Sequence, residues 1–590
     1  MNPNNLFNKN WLPTSRKEME SLGWDEADVI LFSGDAYVDH PSFGTAVIAR
    51  VIEKEGFRVA VVPQPNWRDD LRDFRKLGRP KLFFGVTAGN MDSMVNHYTA
   101  AKRLRSDDAY TPGGKAGFRP DYPSIVYTRI LKKLFPDVPV LLGGIEASMR
   151  RLAHYDYWKD SVDTSILISS GADMLVYGMG ENPIKEILLM LGKGVPFSEL
   201  TSVQQTVILR EAAPAQDKWK DITLHSYEEC VNDRKAFAGN FVAFEKESNK
   251  INSARLIEPS GKMKVVVNPP FPLMTSDEAD RIYDLPFTYL PHPRYGKKER
   301  IPAYDMIKFS VNIHRGCFGG CSFCAIAAHQ GKHVVSRSAD SVLREVRKIS
   351  ELPDFKGYIS DLGGPSANMY RMKGENMALC EKCSRPSCIW PGICRNLNTD
   401  HSELTQLYRK VDRLPGIKKS FIGSGIRYDL LFHDSNPSAG AAERDYLSEL
   451  VRNHVSGRLK VAPEHTVNSV TDLMRKPAFE LFRKLKIAFE AICGKAGLRQ
   501  EIVPYFISSH PGCSEQDMKK LAGEVRDMGI RPEQVQDFTP TPMTCSTVMY
   551  YTGFDPCTGK KVFVARDIPA KRKQKEHFFW YKPSRDHYKR

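Results

Sequence analysis

Three cysteines fall within eight residues in the stretch HRGCFGGCSFC: Cys317, Cys321 and Cys324. Thiols this dense suit zinc or an iron–sulfur centre. A structural zinc site takes four ligands, commonly from two paired-cysteine knuckles, so His314 or His329 would have to complete one here. The four-cysteine spacings of common ferredoxins do not fit. Three sulfur ligands therefore stand beside an unassigned fourth position. A second group, Cys380, Cys383, Cys388 and Cys394, follows in CEKCSRPSCIWPGIC. Four thiolates can close a tetrahedral site, and a bound metal would order a segment with little apolar content. We expect zinc or an auxiliary iron–sulfur cluster there, the alternative being a loop of free thiols. Cys230, Cys493, Cys513, Cys545 and Cys557 are isolated and read as packing residues.

Those sites need a scaffold, and the chain is long enough to build more than one. Its 590 residues imply two to four domains of about 150 residues. With 41% hydrophobic and 26% charged residues the composition is globular. No apolar run approaches the ~20 residues of a membrane span, and the N-terminus lacks a signal-peptide core. We therefore expect a cytosolic protein without membrane contact, where clustered cysteines mean metal more often than disulfides. The formal charge is +15, and residues 560–590 hold eleven Lys and Arg against three Asp and Glu. Excess confined to a tail is weak support for nucleic acid, whose binders carry basic stripes throughout.

From Asp28 to Gly194 short apolar runs, Gly-bearing turns and helical segments alternate, as in ADVILFSGD, KLFFGVTAGN, VPVLLGGIEAS and ADMLVYGMGENPIKEILLML. This predicts a parallel, doubly wound α/β domain whose ligand edge carries the turns at Gly34, Gly89, Gly143 and Gly178. Residues 195–301 read as a Pro-rich linker. Beyond it, a strand over Lys308–Ile313 feeds the three-cysteine loop. Later strands end at Gly363–Gly364, at Ser424 and Arg427, at Glu464 and His465, and at His510. Ser514 with Asp517 predicts a helix start, with Met518, Leu521, Val525 and Met528 as its buried stripe. VQDFTPTPMTCSTVMYYTG reads as a last strand. Strand ends converging on one rim describe a partial (βα) barrel.

Cys-x-x-x-Cys-x-aromatic-Cys, with Phe323 as the aromatic, is the signature of the radical SAM superfamily. The resemblance implies that three thiolates hold three irons of a 4Fe–4S cluster. The fourth iron then binds S-adenosylmethionine (SAM), whose reductive cleavage yields a 5′-deoxyadenosyl radical. It further implies SAM contacts at Phe323, Gly363, Gly364, Ser424, Arg427 and Glu464, although Pro365 stands where the superfamily has Glu. An electron donor, a reductase or a flavodoxin-type protein, is implied as partner. Together GGIEASMRRLAHYDYWKDS, HRGCFGGCSFC, SGIRYD and DFTPTPMTCSTVMYYTG resemble YgiQ-type radical SAM proteins. The expected fold is an N-terminal Rossmann-like domain with linker (1–300), a radical SAM partial (βα)6 barrel of TIM type (301–550) with a cysteine-rich insertion at 380–394, and a basic extension (551–590). The N-terminal part is similar to cobalamin-binding domains, but DAYVDHPSFG lacks the Asp-x-His-x-x-Gly spacing and displaces His40. We therefore expect no cobalamin. Two alternatives stand beside the enzyme of unknown substrate: an RNA-modifying, methylthiotransferase-like enzyme and a non-catalytic iron–sulfur electron-transfer or sensor protein.

Overall fold

A computed structural model describes residues 11–296, 299–432, 439–533 and 535–579. The chain divides into two compact units. The first runs to Phe309 and takes in Ala328–Gly331 and Glu381–Ser384; the second holds Ser310–Ala327, Lys332–Cys380 and the chain from Arg385 on. Among the described residues no helix is long and apolar enough to cross a membrane.

In the first unit, β1 (Val29–Ser33), β2 (Val59–Pro63), β3 (Phe83–Thr87), β4 (Val140–Gly143) and β5 (Met174–Val176) form a parallel sheet in the order β2-β1-β3-β4-β5. β1 and β2 are buried throughout, so their Val, Ile and Phe runs suit strands covered on both faces. Helices α1 (Gly44–Lys54), α2 (Pro123–Leu134) and α3 (Glu181–Gly192) connect them. The order reverses between β1 and β3, the place where open α/β sheets bind ligands. Here that edge carries a buried ion-pair network. Arg119 reaches Asp35, just past β1, at 2.9 Å and Asp108 at 2.8 Å. Burial pushes the Asp35 carboxyl up to about 6 against the pull of that arginine.

The linker reading of residues 195–301 is corrected. β6 (Thr206–Arg210), β7 (Asp221–Thr223), β8 (Arg255–Ser260) and β9 (Met263–Val267) widen the sheet to nine strands, with antiparallel pairing from β5 through β6 and β9 to β8. Prolines cluster outside these short strands, so composition averaged over the segment hid them.

The second unit strings parallel strand segments in chain order. β10 (Ser310–Asn312) pairs with β12 (Asp361–Gly363), and β11 (Tyr358–Ile359) with β13 (Lys419–Ser420). β14 (Arg458–Glu464), β15 (Glu501–Ser508) and β16 (Val535–Asp537) form a three-stranded sheet. Helices α4 (Ala339–Ser350), α5 (Ser402–Asp412), α6 (Phe479–Ala496) and α7 (Glu515–Asp527) alternate with them. This is the expected partial barrel of α/β type. α7 begins at Ser514, whose hydroxyl and Asp517 form a reciprocal capping box, and it buries Met518, Leu521 and Val525. The last-strand reading holds only for Val535–Asp537. CSTVMYYT is helix α8 (Cys545–Thr552), capped by Thr544 and stopped at Gly553, φ +80°. All but one of its eight residues are buried, and a helix buried all round has no polar face to reveal its period.

Candidate functional site

The three-cysteine loop leaves the first barrel strand after His314. Its turn depends on Gly320 at φ +61°, where a Cβ would lie 2.1 Å from the Pro386 carbonyl oxygen. At Gly319 a Cβ would lie 2.9 Å from Arg427 Nη1 and 3.3 Å from Cys317 Sγ. The FGG sequence is thus fixed by close approach as well as by the turn. Burial raises the Cys317 thiol, with the neighbouring Cys321 adding to it, and pushes Cys324 up to about 12, with Cys321 and Cys317 adding like-charge repulsion. The three sulfurs share one electrostatic neighbourhood, with Arg427 and Lys476 opposing the rise at Cys317. Such thiols become thiolates when a cationic metal centre takes them up, so the donor set fits a soft three-ligand centre.

Around the loop the predicted strand-end residues are held by partners that the sequence did not announce. Arg427 donates from Nε to Asp429 at 2.9 Å and from Nη2 at 2.5 Å, and its Nη1 points to Cys321 Sγ at 3.3 Å. Asn368 clamps the Arg427 backbone, accepting from its N–H at 2.7 Å and donating to its carbonyl at 2.9 Å. Glu464 sits at φ +66° beside a register shift between β14 and β15. Burial raises its carboxyl, opposed by the buried Lys476 ammonium 3.5 Å away. Asp361 accepts from the Ser424 N–H at 3.1 Å and hydroxyl at 3.0 Å, next to Gly363, where a Cβ would meet Ser424 Oγ at 2.0 Å. A Cβ on Gly364 would meet the His314 ring at 2.6 Å. His314 Nε2 lies 2.9 Å from the Ser366 carbonyl, and His329 belongs to the segment that packs with the first unit.

Phe323 sets its ring edge-on to His510 at 6.0 Å. His510 Nε2 meets Ser546 Oγ at 2.7 Å, and Ser546 Oγ lies 2.8 Å from that of Ser322, inside the cysteine loop. Sequence reasoning missed Ser322, Asp361, Asp429, Lys476 and Ser546. Only Asp429 had a local signal, two residues after Arg427 in the quoted motif.

Cys383 lies in the segment that groups with the first unit, and Cys380, Cys388 and Cys394 lie in the second. His154, Asp156 and Asp163 form a three-ligand set whose donor atoms all lie within 4.8 Å of one another. Its carboxylates are already engaged: Asp156 by Tyr122 Oη at 2.6 Å and by backbone N–H groups, and Asp163 by Lys159. What orders residues 385–394 is apolar packing. Ile389 joins Phe318, Met369, Met372, Leu397 and Leu430 in one buried cluster, against which Cys317, Cys388, Ile393 and Cys394 pack. The Cys388 N–H also donates to the Phe318 carbonyl at 3.0 Å. This contact spans 70 residues and gives the segment apolar packing that its sequence did not announce.

The described part of the basic extension, α9 (Ile568–Glu576) and Phe578, packs on the second unit. Gln574 accepts from the Ser509 N–H at 2.9 Å and donates to the Cys513 carbonyl at 2.8 Å. Trp580 and Tyr581 lie outside the described residues.

Residues 11–310 match the Radical SAM N-terminal family, and residues 533–588 match a domain of unknown function. A UPF0313 protein of Bacteroides thetaiotaomicron is 59% identical over 585 residues, covering 97% of this chain and 94% of that one. The chain belongs to the UPF0313 family. With the Radical SAM N-terminal match, this bears out the resemblance to YgiQ-type radical SAM proteins. The radical SAM methyltransferase TsrM from Kitasatospora setae, with cobalamin and a 4Fe–4S cluster bound, is similar at TM-score 0.48 and 13% identity, over 91% of this chain and 83% of that one. The cobalamin-dependent SAM radical enzyme OxsB with aqua-cobalamin bound is similar at TM-score 0.48 and 10% identity, over 92% of this chain and 58% of that one. Both structures hold cobalamin, which corrects the expectation against it. A likeness of this depth speaks for fold alone. His40 itself is buried, accepts from the Ser42 N–H at 3.1 Å and stands edge-on to Tyr289 at 5.2 Å.

Proposed function

We propose that this UPF0313 protein is a radical SAM enzyme whose Cys317, Cys321 and Cys324 thiolates hold a 4Fe–4S cluster. The observation that carries the reading is the three-thiol loop itself: Cys317, Cys321 and Cys324 follow the first strand of a parallel barrel, and the Cys317 and Cys324 thiols each feel the charge of loop neighbours. Such a cluster, when bound, supplies the electron for reductive cleavage of SAM to a 5′-deoxyadenosyl radical. The chain's part is to bind and orient. The Gly363–Gly364 backbone, at the end of the strand paired with the first, would take the SAM amino group, and Pro365 leaves that role to main-chain atoms alone. Ser424 and Glu464 present oxygens at neighbouring strand ends, Arg427 its guanidinium beside Cys321, and Phe323 an aromatic face at the loop. A reductase or flavodoxin-type protein delivers the electron.

Among the described residues of the basic extension, Lys573 and Lys575 pair with Glu515 and Asp537 and Phe578 packs on Phe506, which favours docking over the RNA-modifying reading. Anaerobic reconstitution tests the proposal. Iron-loaded, reduced protein should convert SAM to 5′-deoxyadenosine. A loaded and reducible protein that leaves SAM intact would instead be an electron carrier or sensor.

A further inference from the structure

Beside the SAM contact proposed for it above, the Arg427 guanidinium also touches Cys321, and three independent features build that contact. Asp429 takes the Nε and Nη2 edge of the guanidinium, at 2.9 and 2.5 Å, so the remaining Nη1 is directed away from the carboxylate. Asn368 fixes the Arg427 main chain from both sides. Gly319 leaves the space that Nη1 occupies, since any Cβ there would come within 2.9 Å of it. Nη1 then lies 3.3 Å from Cys321 Sγ, inside the reach of a hydrogen bond to sulfur. An ion pair serving stability alone would need Asp429, and neither the glycine nor the backbone clamp.

We propose that Arg427 is a positioning residue that raises the reduction potential of the iron–sulfur centre through its hydrogen bond to the Cys321 thiolate. This rests on the cluster reading above. Reduction adds one electron, taken from an external low-potential donor of the flavodoxin class or from dithionite, and so one negative charge. A guanidinium N–H on a ligating sulfur stabilises that charge, as hydrogen bonds to cluster sulfurs do generally. The neighbouring cation is less free to act, because Lys476 faces Glu464 at 3.5 Å. Asp429 sits on the opposite edge of the guanidinium, and its charge is the more distant from the sulfur.

Two variants test the inference on the full chain, loaded anaerobically with iron and sulfide. Gly319→Ala keeps every charge and displaces chiefly Nη1, since its Cβ would lie 2.9 Å from Nη1 and 3.3 Å from Cys317 Sγ. Arg427→Gln combined with Asp429→Asn removes both charges, so neither is left buried and unpaired. The readouts are iron per chain and the midpoint potential from a spectroscopically followed redox titration. Both variants should keep their iron and titrate at more negative potential. We expect a tenfold change in the ratio of oxidised to reduced protein at fixed potential, about 59 mV for a one-electron couple. Unchanged midpoints with iron intact would overturn the proposal. If only the double variant loses iron, the midpoint of Gly319→Ala decides. Loss of iron from both, with the parent chain loaded, would show a contact that holds the loop and also overturn it. A parent chain that takes up no iron would refute the cluster reading itself, a result distinct from any shift among variants.

Discussion

Phe578→Ala should release the C-terminal segment from the barrel, and the structure gives the size of the effect. The Phe578 side chain is fully buried, its ring 5.7 Å from Phe506 of β15. Truncating such a side chain costs about 3–5 kcal/mol, which at 1.36 kcal/mol per decade raises the opening equilibrium by about 10²- to 10⁴-fold. Gln574→Ala acts through a different mechanism. It strips partners from the Ser509 N–H and the Cys513 carbonyl, each worth about 1–3 kcal/mol when left buried and unsatisfied. Ser509 is held at φ +61° one residue before His510, so loosening the segment also loosens a strand end at the candidate site. Lys573, whose side chain is 63% exposed where it pairs with Glu515, should matter far less. Amide hydrogen exchange over Ile568–Glu576 measures the opening directly. It should accelerate strongly in Phe578→Ala, clearly in Gln574→Ala and little in Lys573→Ala or at raised salt. Exchange that responds to salt and Lys573 but not to Phe578 would refute the argument and show that ion pairs, not apolar burial, hold the segment.

Replacing Cys317, Cys321 and Cys324 by Ala together should abolish iron binding at the loop, and full iron retention by the triple variant would remove the cluster assignment. Gly364→Val should weaken any SAM-induced change in the cluster spectrum, because the new Cβ must displace His314 from 2.6 Å; an unaltered response would place SAM elsewhere. Ile389→Ala should destabilise the second unit by about 2–5 kcal/mol in denaturant unfolding, since its side chain is buried in the Phe318 cluster. A negligible cost would show that something other than apolar packing orders residues 385–394. Burial pushes the Glu258 carboxyl up to about 8 from an ordinary 4.5. Between those values the folded chain holds a proton that the unfolded chain has lost, so this group's contribution to stability falls as pH rises through the window. Glu258→Gln should flatten that slope in thermal unfolding measured from pH 5 to 8, and an unchanged slope would mean that the carboxyl titrates normally.

Local chemistry was legible. The cysteine spacing is a matter of a few bonds, and Ser514 with Asp517 closes a capping box three residues apart. β1 and β2 are continuous apolar runs because they are covered on both faces, which a sequence displays directly. Where the reading failed, the deciding contact was distant or the periodicity absent. Cys545–Thr552 is buried all round and enriched in β-branched and aromatic residues, so it shows no helical stripe. The strands from Thr206 to Val267 are short and exchange partners out of chain order.

What the sequence determined by itself is the proposed ligand set: three sulfurs at fixed spacing, on a loop whose FGG turn brings them together. Tertiary structure decided what those sulfurs feel. Arg427 reaches Cys321 across 106 residues because Asp429 orients its guanidinium and Gly319 makes room for it. Ile389 covers the loop through Phe318, and Ser546 meets Ser322 across 224 residues. Bond spacing is written along the chain, whereas desolvation and hydrogen-bond direction come from groups that only folding brings within 4 Å.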